Sequence, residues 1–288
     1  MDQTLVVTTS LAGAIGLAAL TAALIAGVVV LTTRAHRRAL EHARAAARAE
    51  AAEAAAASRA RLLIRLDHEL KNPLTALRTA AASAQQLLAG EERSAEVEQA
   101  VATIGGSSRR IARLLADLRK LADVETREID RRPVDLAALL ELVVDDARTA
   151  PGAEDRMFTT SVPRAPWPLP QVRGDEDLLH TALLNLVTNA VKYSADGDTI
   201  EVRASEEAGA WVAIEVADTG RGIAEDDQRV VWDELSRGSD VRSIPGSGMG
   251  LALVKAIALR HDGRVELRSR PREGTSVRVL IPAIGPAR

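Results

Sequence analysis

Leu63, Leu66, Leu70, Leu74 and Leu77 recur at steps of three and four, and no other feature of the chain limits its fold so tightly. This is the spacing of a helix with one narrow apolar seam. After a polar break at residues 90–94 the seam returns in Val97, Val101, Ile104, Ile111, Leu115, Leu118 and Leu121, interrupted only by Gly105 and Gly106. Two antiparallel helices joined by a short loop hold too little core to stand alone. The pattern therefore predicts a homodimer in which two hairpins complete a four-helix bundle. The chain has 3 tryptophans, 1 tyrosine and 1 phenylalanine, which favours long, closely approaching helices over an aromatic-rich β-sandwich.

Upstream, residues 5–31 carry no charged residue and as a helix would be roughly 40 Å long, enough to cross a bilayer with tilt. A signal peptide would need a basic start and a shorter apolar core, whereas residues 1–4 contain only Asp2. Arg34, Arg37 and Arg38 follow the run, so the positive-inside bias places the remainder in the cytoplasm and leaves only residues 1–4 outside. Small residues four apart, such as Ala12 and Gly16, would allow close helix pairing in lipid. From 32 to 57 the sequence is almost all alanine, arginine and glutamate, a composition that continues the helix inward.

A polar turn at residues 130–133 ends the helical region, and mixed helical and alternating patterns predict a separate α+β domain. We expect helices at 136–148, 176–192 and 248–261, and strands near 157–162, 199–204, 211–218, 264–269 and 275–281. The polar reach 219–247 is longer than a compact domain leaves idle, as in a functional lid. The balance of 37 basic and 40 acidic residues, net charge -3, gives no footprint for nucleic acid, and the absence of cysteine excludes disulfides and thiolate metal sites.

Several residues invite chemistry. In RLDHELKNPLTAL the leucine seam turns His68 towards water, flanked by Asp67 and Glu69, and a neighbouring carboxylate can hold the proton on one imidazole nitrogen while the other attacks. Pro73 removes a helical hydrogen bond just beyond and should bend the helix there. Taken alone, this reads equally as an ordinary exposed histidine beside a tolerated kink. Asn185, Asn189 and Lys192 share one helix face, and two amides with an ammonium suit a hydrated magnesium ion and phosphate oxygens. Asp218 opens DTGRGI, where the carboxylate can accept from an exocyclic amine such as that of adenine, with Gly220 and Gly222 at the turn. In PGSGMGLAL, Gly246, Gly248 and Gly250 precede a helix whose N-terminus can face phosphate.

LDHELKNPLTAL, NLVTNAVKYS, DTGRGI and GSGMGLALVK, in this order and at these separations, resemble the phospho-acceptor, asparagine and glycine boxes of bacterial two-component sensor histidine kinases, over residues 58–282. The resemblance implies a multidomain chain: a membrane helix (5–31), a helical linker (32–57), a HisKA-type dimerisation and phosphotransfer hairpin (58–128) and a GHKL-type, Bergerat-type α+β sandwich that binds ATP (129–284). It implies that His68 is phosphorylated, that Glu69 helps to deprotonate it, and that Asn72 helps to dephosphorylate the partner, a response regulator receiver domain. It further implies that Asn189 holds Mg2+ with Asn185 in support, that Lys192 and Tyr193 line the nucleotide, and that Asp218 reads the adenine amine. Gly220, Gly222, Gly246, Gly248 and Gly250 would shape the pocket and lid, and Thr275 would be its last element.

The sequence departs from this family in three places. The lid box VVWDELSRG has Trp232 and Leu235 where two phenylalanines are usual, leaving Arg237 as the phosphate contact; most relatives have an external domain between two spans, whereas here one apolar span follows residues 1–4; and 34–58 is short for a signal-relay module. The lid is the feature that would suit a catalytically weak, membrane-anchored adaptor or partner-dependent pseudokinase. A related ATPase or serine kinase would lack the histidine hairpin.

Overall fold

A computed structural model describes residues 11–88, 95–164, 166–208, 210–236 and 246–285. The chain divides into two units, Met1–Leu63 and Ile64–Arg288, and the contacts described below all lie within the second.

Helix α1 (Leu11–Leu88) includes the alanine-arginine-glutamate stretch, and α2 (Ala95–Thr126) runs without a break through Gly105 and Gly106. α1 also continues unbroken through Pro73, which is buried rather than presented at an exposed bend. Where the two helices meet, Ala80, Ala84 and Ala100 form a buried cluster with Ile104 against it. Alanines at this contact let the backbones approach closely. Leu63 and Leu74, both placed on the seam by their spacing, are 67% and 43% exposed in the single chain. Among the described residues no helix is long and apolar enough to cross a membrane. Of the apolar run 5–31, residues 5–10 lie outside the described part, as does the 90–94 connection.

The remainder is an α/β domain. Strands β2 (Met157–Ser161), β4 (Thr199–Glu207), β5 (Trp211–Asp218), β7 (Gly274–Pro282) and β6 (Arg264–Arg270) form one sheet in the order β2-β4-β5-β7-β6. The β2–β4 pair is parallel and the others are antiparallel. Alternation makes the sheet two-faced: Ile200, Val202 and Ala204 are buried, whereas Arg278, from the opposite face, bonds Glu266 at 2.8 Å and Glu207. Against the buried face packs a helical layer in which α4 (Glu176–Tyr193) touches both α3 (Leu136–Arg148) and α6 (Gly250–Arg260). Leu140, Val143, Leu183, Ile214 and Ile257 fill the interior between the layers. Helix α5 (Glu225–Gln228) and the small antiparallel sheet of β1 (Arg132–Val134) and β3 (Val172–Gly174) complete the domain.

The start of α4 is fixed from several sides. Asp175 caps it, its side chain accepting from the Leu178 N–H at 3.2 Å, while its own N–H donates to Nε2 of His261 at 2.9 Å. His261 also bonds the Ile257 carbonyl through Nδ1 at 2.8 Å, and burial pushes its pKa below the ordinary value, keeping the ring neutral. Arg127 reaches the second carboxylate oxygen of Asp175 at 3.1 Å, joining the end of the hairpin to the start of α4.

Candidate functional site

A cavity of about 930 Å³ opens between α4, the start of α6 and the ends of β5 and β7. This is the volume of a small-ligand site. Its inner wall is α4, whose buried stripe (Leu179, Leu183, Leu186, Val187 and Ala190) turns Asn185, Asn189 and Lys192 towards the cavity. The Asn185 side-chain amide donates to the Thr181 carbonyl at 2.8 Å, which commits its nitrogen and leaves its oxygen available. The Lys192 ammonium donates to the Tyr193 hydroxyl at 2.9 Å and lies 4.6 Å from the ring centroid, so these two line the cavity as a pair.

Asp218 ends β5 opposite Thr275, and both face the cavity. Burial pushes the Asp218 carboxyl up to about 6, against the opposing effect of the Gly220 N–H, which donates to it at 3.0 Å, and of a backbone bond at Thr275. The turn beyond it has no room for side chains. A Cβ on Gly222 (φ +68°) would meet the Arg270 carbonyl at 1.9 Å, and one on Gly274 (φ +112°) would meet the carbonyl of Asp218 itself at 1.9 Å. Both therefore combine a left-handed backbone with direct main-chain contact. Ser269 knits this corner together, accepting from the Ile223 N–H at 2.8 Å and lying 2.9 Å from the Thr275 hydroxyl.

The glycine-rich segment forms the remaining wall. Gly246, Gly248 and Gly250 all line the cavity; a Cβ at Gly246 would lie 2.2 Å from the Lys192 nitrogen, and one at Gly250 would lie 3.1 Å from the Asn189 amide nitrogen. Glycine thus lets the first turn of α6 meet the asparagine face of α4. Among the described residues no three His, Cys, Asp or Glu side chains cluster as a metal site, so a cation here would rely on amide oxygens and ligand oxygens. Arg237 lies outside the described residues. Leu235, near it, is buried with φ +58°.

His68, Glu69 and Asn72 do not line this cavity. On α1, His68 and Asn72 are exposed, and Glu69 accepts from the Arg110 guanidinium of α2 at 2.7 Å. One turn before His68, Arg65 bonds Asp233 and the Glu234 carbonyl, both at 3.0 Å, tying the histidine's helix to the segment after α5. Sequence reasoning overlooked the cavity's contribution from α2, namely Arg113, Asp117 and Lys120. Their spacing of four and three, off the apolar stripe, was the available signal. It also overlooked Arg221 and Arg272, whose signal was proximity to the glycine turns.

Comparison with known proteins gives two family matches: residues 58–127 match the His Kinase A (phospho-acceptor) domain, and residues 174–284 match the histidine kinase-, DNA gyrase B- and HSP90-like ATPase. Over 232 residues the chain is 33% identical to the sensor-like histidine kinase SenX3 of Mycobacterium tuberculosis, covering 78% of this chain and 54% of that protein. It is likewise 33% identical over 235 residues to the signal transduction histidine-protein kinase/phosphatase MprB of the same species, covering 78% and 44%. The chain thus spans about half the length of the curated relatives it matches. Among solved structures it is similar to full-length ShkA in complex with AMPPNP, with a TM-score of 0.53 and 25% identity over 79% of this chain and 47% of that one.

Proposed function

The chain belongs to the sensor histidine kinases, and from that membership we propose that it phosphorylates its own His68 from ATP and passes the phosphoryl group to an aspartate of a response regulator. The observation that carries this reading is the gathering of Asn185, Asn189, Lys192, Asp218 and three helix-leading glycines around one cavity, on a chain that also presents an exposed histidine on a helical hairpin.

In this reading ionised Asp218 accepts from the adenine amine, and Gly222 and Gly274 let the neighbouring main chain close around Asp218. Lys192 and the N-terminus of α6 face the phosphates. Asn189, supported by Asn185, holds Mg2+, which neutralises charge on the phosphate oxygens. A nitrogen of His68 bonds to the γ-phosphorus as the bond to the β–γ bridging oxygen breaks, ADP leaves, and Glu69 takes the imidazole proton. Positioning and charge neutralisation account for most of the acceleration. For this transfer Glu69 must turn from Arg110 to His68. Residues 58–128 are the phosphotransfer hairpin and 129–284 the ATP-binding domain; residues 5–31 anchor the chain in the membrane, 32–57 link that span to the hairpin, and a second copy completes the bundle. Asn72, exposed one turn after His68, favours a second activity, removal of phosphate from the regulator.

His68→Gln should abolish incorporation of labelled γ-phosphate while leaving ATP binding intact. Label that survives on the variant overturns the assignment.

A further inference from the structure

Three side chains of α2 face the cavity without a partner. Arg113, Asp117 and Lys120 line it together with Asn185, Asn189 and Gly250, and none makes a hydrogen bond or ion pair through its side chain among the described residues. Asp117 stands four residues after Arg113 and three before Lys120, the spacings at which helical ion pairs form. It bridges to neither. The three charges are spread along about 10 Å of a single helix, and all three line the cavity.

The direction of α2 places this row at the phosphate end of the cavity. Arg260, at the end of α6, donates to the Glu125 and Arg127 carbonyls at 2.5 Å each, pinning the end of α6 to the end of α2. Gly250 and Leu251, at the start of α6, line the cavity together with Arg113 and Asp117, so the two helices run side by side in the same direction. The row therefore lies over the α6 N-terminus, where Asn189 and Lys192 also converge. The α/β domain brings only Lys192, Arg221 and Arg272 to the cavity as cations among the described residues, and Lys192 is engaged with Tyr193.

We propose that α2 is the outer wall of the nucleotide site, with Arg113 and Lys120 binding the polyphosphate and Asp117 setting the limit on the negative charge the wall accepts. This rests on the reading of the cavity as a nucleotide site and adds a second domain to it: nucleotide with its full phosphate chain bridges the α/β domain to the hairpin, whereas the nucleoside does not. Phosphate-chain occupancy then holds the α/β domain against α2, and transfer to His68 requires this wall to release.

The test is equilibrium binding of ATP with magnesium, of ADP and of adenosine to the full chain. The double variant Arg113→Gln, Lys120→Gln should weaken ATP about tenfold and ADP less, with a loss that shrinks as salt rises, and leave adenosine unchanged. Asp117→Asn should tighten ATP about two- to threefold by removing the one acidic side chain that α2 brings to the cavity. Unchanged adenosine binding by the double variant also shows that it is folded. ATP affinity within twofold of the parent in the double variant overturns the proposal, and so does equal weakening of ATP and adenosine. A parent chain that binds none of the three ligands sinks the nucleotide reading itself, a result separable from the other two.

Discussion

The α/β domain and the helical hairpin close their interiors in opposite ways. In the domain, Leu140, Val143, Val187, Ile200, Ile214 and Ile257 have no measurable exposure, since sheet and helices of one chain cover each other. The hairpin buries Ala80, Ala84 and Ala100 where its helices meet and Leu114, Leu121 and Val124 further along α2, yet leaves Leu63, Ile64, Leu74, Val101 and Leu115 between 43% and 67% exposed. One unit is a finished fold. The other is half of one, with a stripe of leucine, isoleucine and valine that in water favours a second copy by about 25 cal/mol for each Å² it hides.

Four substitutions bear on that contrast. Leu140→Ala removes a fully buried side chain and should cost about 3–4 kcal/mol, seen as a lower denaturant midpoint for the α/β domain at any protein concentration. Asp218→Asn works in the opposite direction, raising stability by about 2 kcal/mol at pH 7 while impairing adenine nucleotide binding. The Asp218 carboxyl sits near 6 in the fold against 3.8 ordinarily, so between those values the folded chain takes up a proton that the unfolded chain does not. Stability from this group is gained as pH falls through that window and lost above it, and in the variant that pH dependence should vanish. Leu74→Ala should shift the concentration at which copies associate by about 1–2 kcal/mol, read by sedimentation, with little effect on a dilute single chain. Arg110→Ala should cost under about 1 kcal/mol, because its pair with Glu69 is partly exposed, and thermal melts would show this.

Most elements with a clear period were legible in the sequence. Helix 136–148 and strand 211–218 have the predicted bounds, and the asparagine face of α4 does meet the glycines of α6. Sequence reading failed where partners are distant and segments short. β1 and β3 have three residues each, too few for alternation to register, and exist because they pair with each other. α5 arises inside a polar stretch that has no apolar period. That β2 runs parallel to β4 is invisible in spacing alone. The link from His261 to the cap of α4 joins residues 86 positions apart, and the α2 wall of the cavity follows from how two domains pack. The leucine stripe was legible as a stripe, but spacing does not say which of its members one chain covers.

Arg260 has a consequence of its own. It grips the end of the hairpin through two main-chain carbonyls, so this contact does not depend on the side chains at positions 125 and 127, whereas the neighbouring contact to Asp175 needs the Arg127 guanidinium. A hairpin transplanted from another member of the family would be accepted here if its last turn kept the same path and brought an arginine to position 127. One contact at this junction follows the path of the main chain and the other the identity of a single side chain.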